Sequence, residues 1–351
     1  MSKAAELAAL IGSQTALSNR NLIINGAMQV AQRGTVTGHT SGYGGPDRFQ
    51  FDRSGAAAVT LSQDTSVPSG QGFSNSFKID VTTADSSLSA GDYALFQNRV
   101  EAQNLQHLLY GTSEAKRVTL QFWVKSAKTG VHIVELMAHD AGYFNPQSYT
   151  IASANTWQKV IMTFDGYQSG GITNDNGIGF AINWWLAAGS TYSGGTLSSN
   201  TWHNTTANRA VGQVNVMDST SNEWYITGIQ LEVGEQATAF EHRSFGDELT
   251  RCQRYYEQLG PSLINSGTGY SYALASYDGS GTNMWLTIDF ATTKRAAPTS
   301  LDLINGYAWA GTPTIFGYGT NGITMHRAGD AIITKTSTSG TVNTVEVDCE
   351  L

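Results

Sequence analysis

Charge is scarce in this chain. Asp, Glu, Lys and Arg make up 14% of its 351 residues, against about 25% in an average protein. The formal net charge is −8, and the basic residues form no cluster. That argues against nucleic-acid binding. Cysteine is limited to Cys252 and Cys349, and no CxxC spacing occurs. The seven histidines show neither HxH nor HExxH spacing, which removes the usual metal-site patterns. His132 and His139 are an odd number of residues apart, so a strand would point them to opposite faces. No apolar run reaches transmembrane length, so no membrane role is expected. Met1–Leu17 contains an acid, and its apolar stretch Leu7–Ile11 is too short for a secretory signal. Gly42-Tyr43-Gly44-Gly45 is followed by no helix and no lysine, so it is not a phosphate loop. No internal repeat, coiled-coil heptad or β-helix rung period is present. Proline, with 6 residues, marks only a few of the turns.

What fills the space is Gly, Ser, Thr and Asn, with many Val, Tyr and Trp residues. This composition suits strands joined by polar turns. A hydrophobic fraction of 40% suffices for a core at this length. Strand patterns occur at Arg48–Arg53, Ala57–Gln63, Ser76–Val81, Tyr93–Val100, Arg117–Ser126, Val131–Ala138, Ser148–Ala152, Gln158–Asp165, Gly177–Ala187 and Trp224–Val233. Turn signals such as Pro68-Ser69-Gly70 and Asp175-Asn176-Gly177 separate most of them. Glu101–Tyr110 interrupts the strands with helical spacing. Many short strands at this interval predict one antiparallel sandwich over residues 22–244. Ser2–Leu17 reads as a short helix that must pack on something, because a helix this short is marginal alone in water. Leu7, Leu10 and Ile11 are its candidate attachment residues.

Residues 224–260 join a strand pattern to helical spacing. Phe245, Leu249, Cys252 and Tyr256 recur at intervals of three and four and share one helix face. Further strand patterns follow at Tyr270–Tyr277, Met284–Phe290, Ser300–Leu303, Gly322–His326, Ala331–Thr336 and Val342–Val347. Residues 245–351 therefore form a second, smaller helix-plus-β domain. The two cysteines read as free thiols, one of them buried. A disulfide between the helix and the C-terminal strand is the alternative.

Three segments carry a family resemblance. Asn25 to Thr35 reads NGAMQVAQRGT, with Asp47-Arg48-Phe49 after it. Gln230 to Arg243 reads QLEVGEQATAFEHR, and CQRYY follows at Cys252–Tyr256. Lys294 to Thr299 reads KRAAPT, with Lys294 where methionine is common. These segments resemble a family of tailed-phage virion proteins of tail-fibre type. The resemblance touches nearly the whole chain. It implies an all-β fold: a jelly-roll β-sandwich like that of carbohydrate-binding modules, a short N-terminal helix (1–21) and the smaller C-terminal domain. It also implies synthesis in a host cytoplasm, assembly into a virion beside other virion proteins, and a homo-oligomer. The expected trimer follows from how such fibres are built. Jelly rolls of this type often hold structural calcium through loop oxygens, for which Asp92, Asp175 and Asn176 are the candidates. No other cofactor is expected.

Glycan binding needs aromatic faces beside amides and carboxylates. Trp184 and Trp185 put two indoles on opposite faces of one strand. Tyr192, Trp202 and Asn204, in the polar stretch Gly189–Val211, complete the expected platform. Packing of these rings in the core or at a subunit interface is the alternative. Trp123 and Trp157 sit in strong strand patterns and read as structural. The acids, among them Glu101, Glu135, Asp140, Asp165, Asp175, Glu223 and Glu232, are scattered. Nothing in their spacing marks the carboxylate pair that glycoside hydrolysis uses. The expectation is a non-enzymatic tail-fibre or adhesin-type virion protein contacting host surface polysaccharide. A capsid-decoration or fibre-base protein is the second reading, and a polysaccharide-degrading enzyme the third.

Overall fold

The computed structural model describes residues 19–259, 275–277, 283–298, 300–304, 307–308, 314–328, 334–335 and 344–351. The expected N-terminal helix, with Leu7, Leu10 and Ile11, lies outside them. The chain divides into two compact units, Met1–Glu248 with Leu351, and Leu249–Glu350.

The first unit is a jelly-roll β-sandwich of two antiparallel six-stranded sheets. Its strands are β1 (Val36–His39), β2 (Gly42–Tyr43), β3 (Phe49–Ser54), β4 (Ala58–Asp64), β5 (Ser76–Thr83), β6 (Tyr93–Glu101), β7 (Val118–Ser126), β8 (Gly130–Ala138), β9 (Tyr143–Ile151), β10 (Gln158–Phe164), β11 (Ile178–Ala188) and β12 (Glu223–Val233). One sheet runs β1-β4-β5-β12-β7-β10, the other β2-β3-β6-β11-β8-β9. A 3-10 helix, Ala102–Leu108, stands where the helical spacing predicts one. Inward side chains alternate along each strand. Phe49, Phe51, Phe77, Phe96, Phe122, Trp184 and Trp224 fill the space between the sheets. Phe96 stands at the centre, with ring centroids 5.1 Å from Phe49, 4.8 Å from Phe77, 5.5 Å from Trp184 and 5.3 Å from Trp224. Burying each such ring contributes about 1.5–3 kcal/mol.

β12 is buried on both faces, and its pairing explains the family-like segments. Along Glu223–Ile226 it pairs with β5. Beyond Gly228, which holds a φ of 63°, β5 no longer follows it. The N-terminal segment takes over. The Leu22 N–H donates to the Leu231 carbonyl at 2.9 Å, and the Ile229 N–H to the Gly26 carbonyl at 2.9 Å. Asn21 Oδ1 accepts from Leu231 N at 3.1 Å, and its Nδ2 donates to the Ile229 carbonyl at 3.1 Å. A Cβ on Gly26 would stand 2.1 Å from the Ile229 oxygen, so only glycine allows this approach. Asn25, at φ 62°, bonds across the following turn to Val30 and to the Asp47 carbonyl.

The tail after β12 fastens the same segment. Glu241 accepts from Asn19 N at 2.6 Å and Asn21 N at 2.8 Å. Arg243 donates to the carbonyls of Asn21 at 2.6 Å and Ile23 at 3.1 Å. Glu232 accepts from Thr238 N at 2.8 Å and Thr238 Oγ1 at 2.7 Å.

The second unit holds most of helix α1 (Phe245–Gln253), started by Ser244, whose Oγ accepts from Asp247 N at 3.2 Å. The helix is shorter than the spacing implies. Tyr256 opens strand β13 (Tyr256–Leu259), because its backbone pairs with Asp348 of β21 (Thr344–Asp348). Phe245 is 57% exposed, while Cys252 is buried. β21 also pairs with β16 (Ser300–Ile304). A second sheet joins β14 (Ala275–Tyr277), β15 (Asn283–Asp289), β19 (Gly322–Ala328) and β18 (Thr314–Tyr318), and a short pair joins β17 (Tyr307–Ala308) to β20 (Thr334–Lys335). Lys294 is buried, donating to Glu257 Oε2 at 2.5 Å and to the Gln253 carbonyl at 2.5 Å. Arg295 donates to the carbonyls of Cys349 at 2.9 Å and Glu350 at 3.0 Å. Cys252 and Cys349 are both buried thiols, not joined in a disulfide.

Two outcomes follow for stability. Asn21→Ala leaves the Leu231 N–H and the Ile229 carbonyl buried without partners. Urea unfolding should show a loss on the order of 2–3 kcal/mol. His132 is fully buried against Tyr149, and burial pushes its pKa down to about 4. The unfolded chain then binds more protons between pH 4 and 6.5. Stability is complete above pH 6.5 and falls as pH drops toward 4, by about 3 kcal/mol in all. Burial shifts His107 and His203 the same way. A Tm-against-pH curve should flatten in this window for His132→Phe.

Candidate functional site

The outer face of the β2-β3-β6-β11-β8-β9 sheet carries a row of side chains, one from each strand. The register pairs Tyr43 with Gln50, Gln50 with Gln97, Gln97 with Asn183, Asn183 with Glu135, and Glu135 with Pro146. Five inter-strand spacings give the row a length of about 24 Å. Pro146 is allowed in β9 because that strand is the sheet edge. These positions alternate with the core residues Phe49, Phe96, Ile182 and Val134, so the row faces away from the core.

The row is a hydrogen-bonded polar ladder. Gln50 and Gln97 bond through their amides, and Gln97 Nε2 donates to Asn183 Oδ1. Asn183 Nδ2 donates to Glu135 Oε1 at 2.8 Å. Arg209 grips both oxygens of Glu135, Nη2 to Oε1 at 2.7 Å and Nε to Oε2 at 2.8 Å. Arg99 Nε donates to Gln97 Oε1 at 2.6 Å. Gln50, Gln97, Asn183 and Glu135 are all buried. A buried polar network of this kind is rigid when its members are satisfied.

The stretch after β11 roofs one half of the face. It starts with a short helical turn, Ser190–Ser193. Leu95, Ile133, Trp185 and Ala210 form a small cluster beneath it, with Tyr192 and Leu197 packed on top. The Arg209 guanidinium lies 3.9 Å from the Phe144 ring centroid and 5.2 Å from that of Trp185. Further bonds tie the stretch to β8 and β9: Gln213 Oε1 accepts from Ile133 N at 2.7 Å, and Asn200 N donates to the Pro146 carbonyl at 3.1 Å.

On the β2-β3-β6 half, Tyr43, Asp52, Tyr93 and Arg99 are half-buried, and Tyr192 borders them. Tyr93 and Tyr192 meet edge to face at 5.6 Å. The Tyr93 hydroxyl donates to Asp52 Oδ2 at 3.1 Å, and Ser41 Oγ donates to Asp52 Oδ1 at 2.6 Å. Burial, with Asp52 beside it, pushes the Tyr93 pKa up to about 12. Tyr93 therefore stays a neutral donor at physiological pH. Rings standing next to a carboxylate, amides and a guanidinium supply both contacts a sugar makes: stacking and hydroxyl hydrogen bonds.

The platform expected from the sequence does not assemble. Trp184 is fully buried between the sheets and Trp185 is 1% exposed beneath Tyr192, so neither indole offers a face to a ligand. Trp202 packs on Tyr110 and Tyr167 and donates Nε1 to the Asp165 carbonyl at 2.6 Å. It is a half-buried extension of the core, apart from Tyr192. Asn204 is exposed and stands in neither group. Of that set, Trp185 and Tyr192 lie on the ladder face, and of these two only Tyr192 stays partly exposed. The calcium candidates also separate. Asp92 precedes β6 and accepts Gly189 N at the end of β11, whereas Asp175 and Asn176 precede the start of β11. Among the described residues no three His, Cys, Asp or Glu side chains converge as metal ligands.

No family model matches the sequence, and no curated protein matches it. Among solved structures, the chain is similar to the enzymatically active domain of tailspike protein 4 of bacteriophage CBA120. The identity is 15% and the TM-score 0.34, over 61% of this chain and 22% of that one. The chain thus spans about a fifth of the tailspike's length. It is also similar to a family 11 carbohydrate-binding module of a Clostridium thermocellum cellulosomal cellulase (13% identity, TM-score 0.29, 58% of this chain and 97% of that one). A third is a xylan-binding domain from Paenibacillus barcinonensis (14%, TM-score 0.27, 52% and 91%). All three similarities are low, and none says which ligand this chain takes.

The Glu135–Arg209 pair is nearly dry: Glu135 is 0% and Arg209 15% exposed. Arg209→Ala leaves a buried carboxylate alone. Denaturant unfolding should show a loss of about 3–5 kcal/mol. Adding Glu135→Gln to that variant should recover part of it.

Proposed function

We propose that this chain is a non-enzymatic glycan-binding protein, and that its ligand lies along the β2-β3-β6 half of the ladder face, against Tyr93 and Tyr192. The register that brings Tyr43, Gln50, Gln97, Asn183 and Glu135 into one row carries this reading. It gives a preorganised polar floor beside aromatic edges. Hydrolysis would need two carboxylates free to exchange protons around one bond. Glu135 is held by Arg209, and Asp52 by Ser41 and Tyr93. The three family-like segments support a place in a tailed-phage virion as a tail-fibre or adhesin-type component, trimeric, beside other virion proteins.

A second reading has its own observation. On the outer face of the other sheet, Ile161 is 53% exposed, and the half-buried Trp123 stands diagonal to it, opposite Lys159. Apolar side chains grouped on a sheet face suit a neighbouring subunit. In that reading the protein is a capsid-decoration or fibre-base component.

The test is binding of the purified protein to a panel of bacterial surface polysaccharides and to intact cells. Tyr93→Ala and Tyr192→Ala should each weaken binding about tenfold with an unchanged far-UV spectrum. Ile161→Asp should leave binding as it is. A folded protein that binds no glycan, yet loses assembly onto particles with Ile161→Asp, would replace the adhesin reading with the structural one.

A further inference from the structure

Resting on the glycan reading, we infer that the ligand is a glycan with free amino groups, and that Asp52 takes one of its ammonium groups beside Tyr93. The argument begins with the acids of the ladder face. Glu135 is neutralised by Arg209. Glu101, at the end of β6, is fully buried. Asp52 is only half-buried, and it forms no ion pair among the described residues. Its side-chain partners are two hydroxyls: Ser41 Oγ donates to Oδ1 at 2.6 Å, and Tyr93 to Oδ2 at 3.1 Å. An ionised carboxylate has about four acceptor positions on its two oxygens, so each oxygen keeps room for a further donor. Both present donors are neutral and leave the full charge in place. Ser41 is exposed, so solvent reaches the carboxylate from that side.

The register explains the position. Asp52 of β3 pairs with Leu95 of β6, and Tyr93, two residues further along β6, reaches it on the diagonal. Tyr192 then meets Tyr93 edge to face, which links the carboxylate to an aromatic pair. The cations of this region are turned elsewhere. Arg53 follows Asp52 in the strand and points to the opposite face. Arg99 lies four residues along β6 from Leu95, about 13 Å away, and donates to Gln97 Oε1 and to the Leu351 oxygen. A sugar set against the two tyrosines brings its substituents to Asp52. A hydroxyl or an N-acetyl N–H supplies one neutral donor there, and a uronate is repelled. An ammonium supplies three donors and the missing charge. The electron-rich faces of tyrosine rings attract the same charge. With a net charge of −8, the field of the whole chain also draws a cationic polymer toward it, so the long-range and the contact terms have one sign.

The experiment is titration calorimetry of the full chain with oligomers of glucosamine and of galactosamine, against the same oligomers N-acetylated and against neutral β-glucan oligosaccharides. Each is measured at low and high salt, for the native chain and for Asp52→Asn, Asp52→Glu and Glu114→Gln. The last variant removes an equal charge from an exposed turn before β7 and reports attraction by net charge alone. At least one free-amine oligomer should bind about tenfold more tightly than its N-acetylated form, with affinity that falls as salt rises. Asp52→Asn should abolish that preference and leave the N-acetylated and neutral oligomers bound as before. Asp52→Glu should keep part of it, and Glu114→Gln all of it. If N-acetylated or neutral oligomers bind as tightly as free amines, or Asp52→Asn keeps the preference, the ammonium inference falls and the glycan reading stands. The same holds if Glu114→Gln loses as much as Asp52→Asn. If no oligosaccharide of any class binds, both fall. Should Asp52→Asn fail to fold, the discrimination between free and N-acetylated oligomers by the native chain and by Asp52→Glu decides.

Discussion

The sandwich depends on how the free edge of β12 is covered. This strand lies in the middle of its sheet, buried on both faces, and its backbone groups cannot be left without partners. β5 covers only its first half. The N-terminal segment covers the rest, with Asn21 replacing a main-chain partner by its amide and Gly26 permitting the contact. The tail after β12 then turns back, and Glu241 and Arg243 fasten that segment from outside. Closure of the fold therefore joins residues more than two hundred positions apart. Such a contact is entropically slow to form.

This explains why the segments that carry the family resemblance are poor guides to ligand. NGAMQVAQR and QLEVGEQATAFEHR are the two sides of that closure. Asn25 bridges its own turn, Asp47 accepts from Gln32 N at 2.9 Å, and Glu232 and Thr238 hold the turn after β12. In the second unit, Lys294 and Arg295 of KRAAPT bond to Glu257 and to the carbonyls of Cys349 and Glu350. Residues fixed by backbone geometry give a recognisable pattern. None of the ladder residues Gln50, Gln97, Asn183 and Glu135 lies in these segments.

Period-two patterning made the strands of the first unit legible, because each has one face in the core. β1 and β2 escaped it: they are short edge strands with no fully buried residue. Tyr256 escaped for another reason. The apolar spacing of three and four continues past Gln253, but pairing with β21 ends the helix there. The ladder was hidden more deeply. Asn183 is the single polar residue of its strand, Gln50, Gln97 and Glu135 share theirs with other polar residues, and only the register between strands brings the four together. One local sign existed: a polar residue inside the strongly apolar runs IVELM and AINWW, where a buried charge or amide demands a partner. Trp184-Trp185 gave the opposite lesson. Alternation correctly puts the two rings on opposite faces, but cannot say that the outward one is roofed.

The roof itself follows from charge. Gly189–Val211 is too polar to fold as a core element, and composition alone makes it a surface loop. Yet Arg209 reaches down to Glu135, and in a dry site neither charge can be left without the other. Once the guanidinium is seated, it lies over the rings of Phe144 and Trp185. Tyr192 is drawn against Tyr93 at the edge of the covered region. A single ion pair thus fastens a polar loop over one half of the face, and it consumes the one carboxylate in the ladder. What remains beside that loop is a floor of satisfied amides, bordered by the half-buried Arg99.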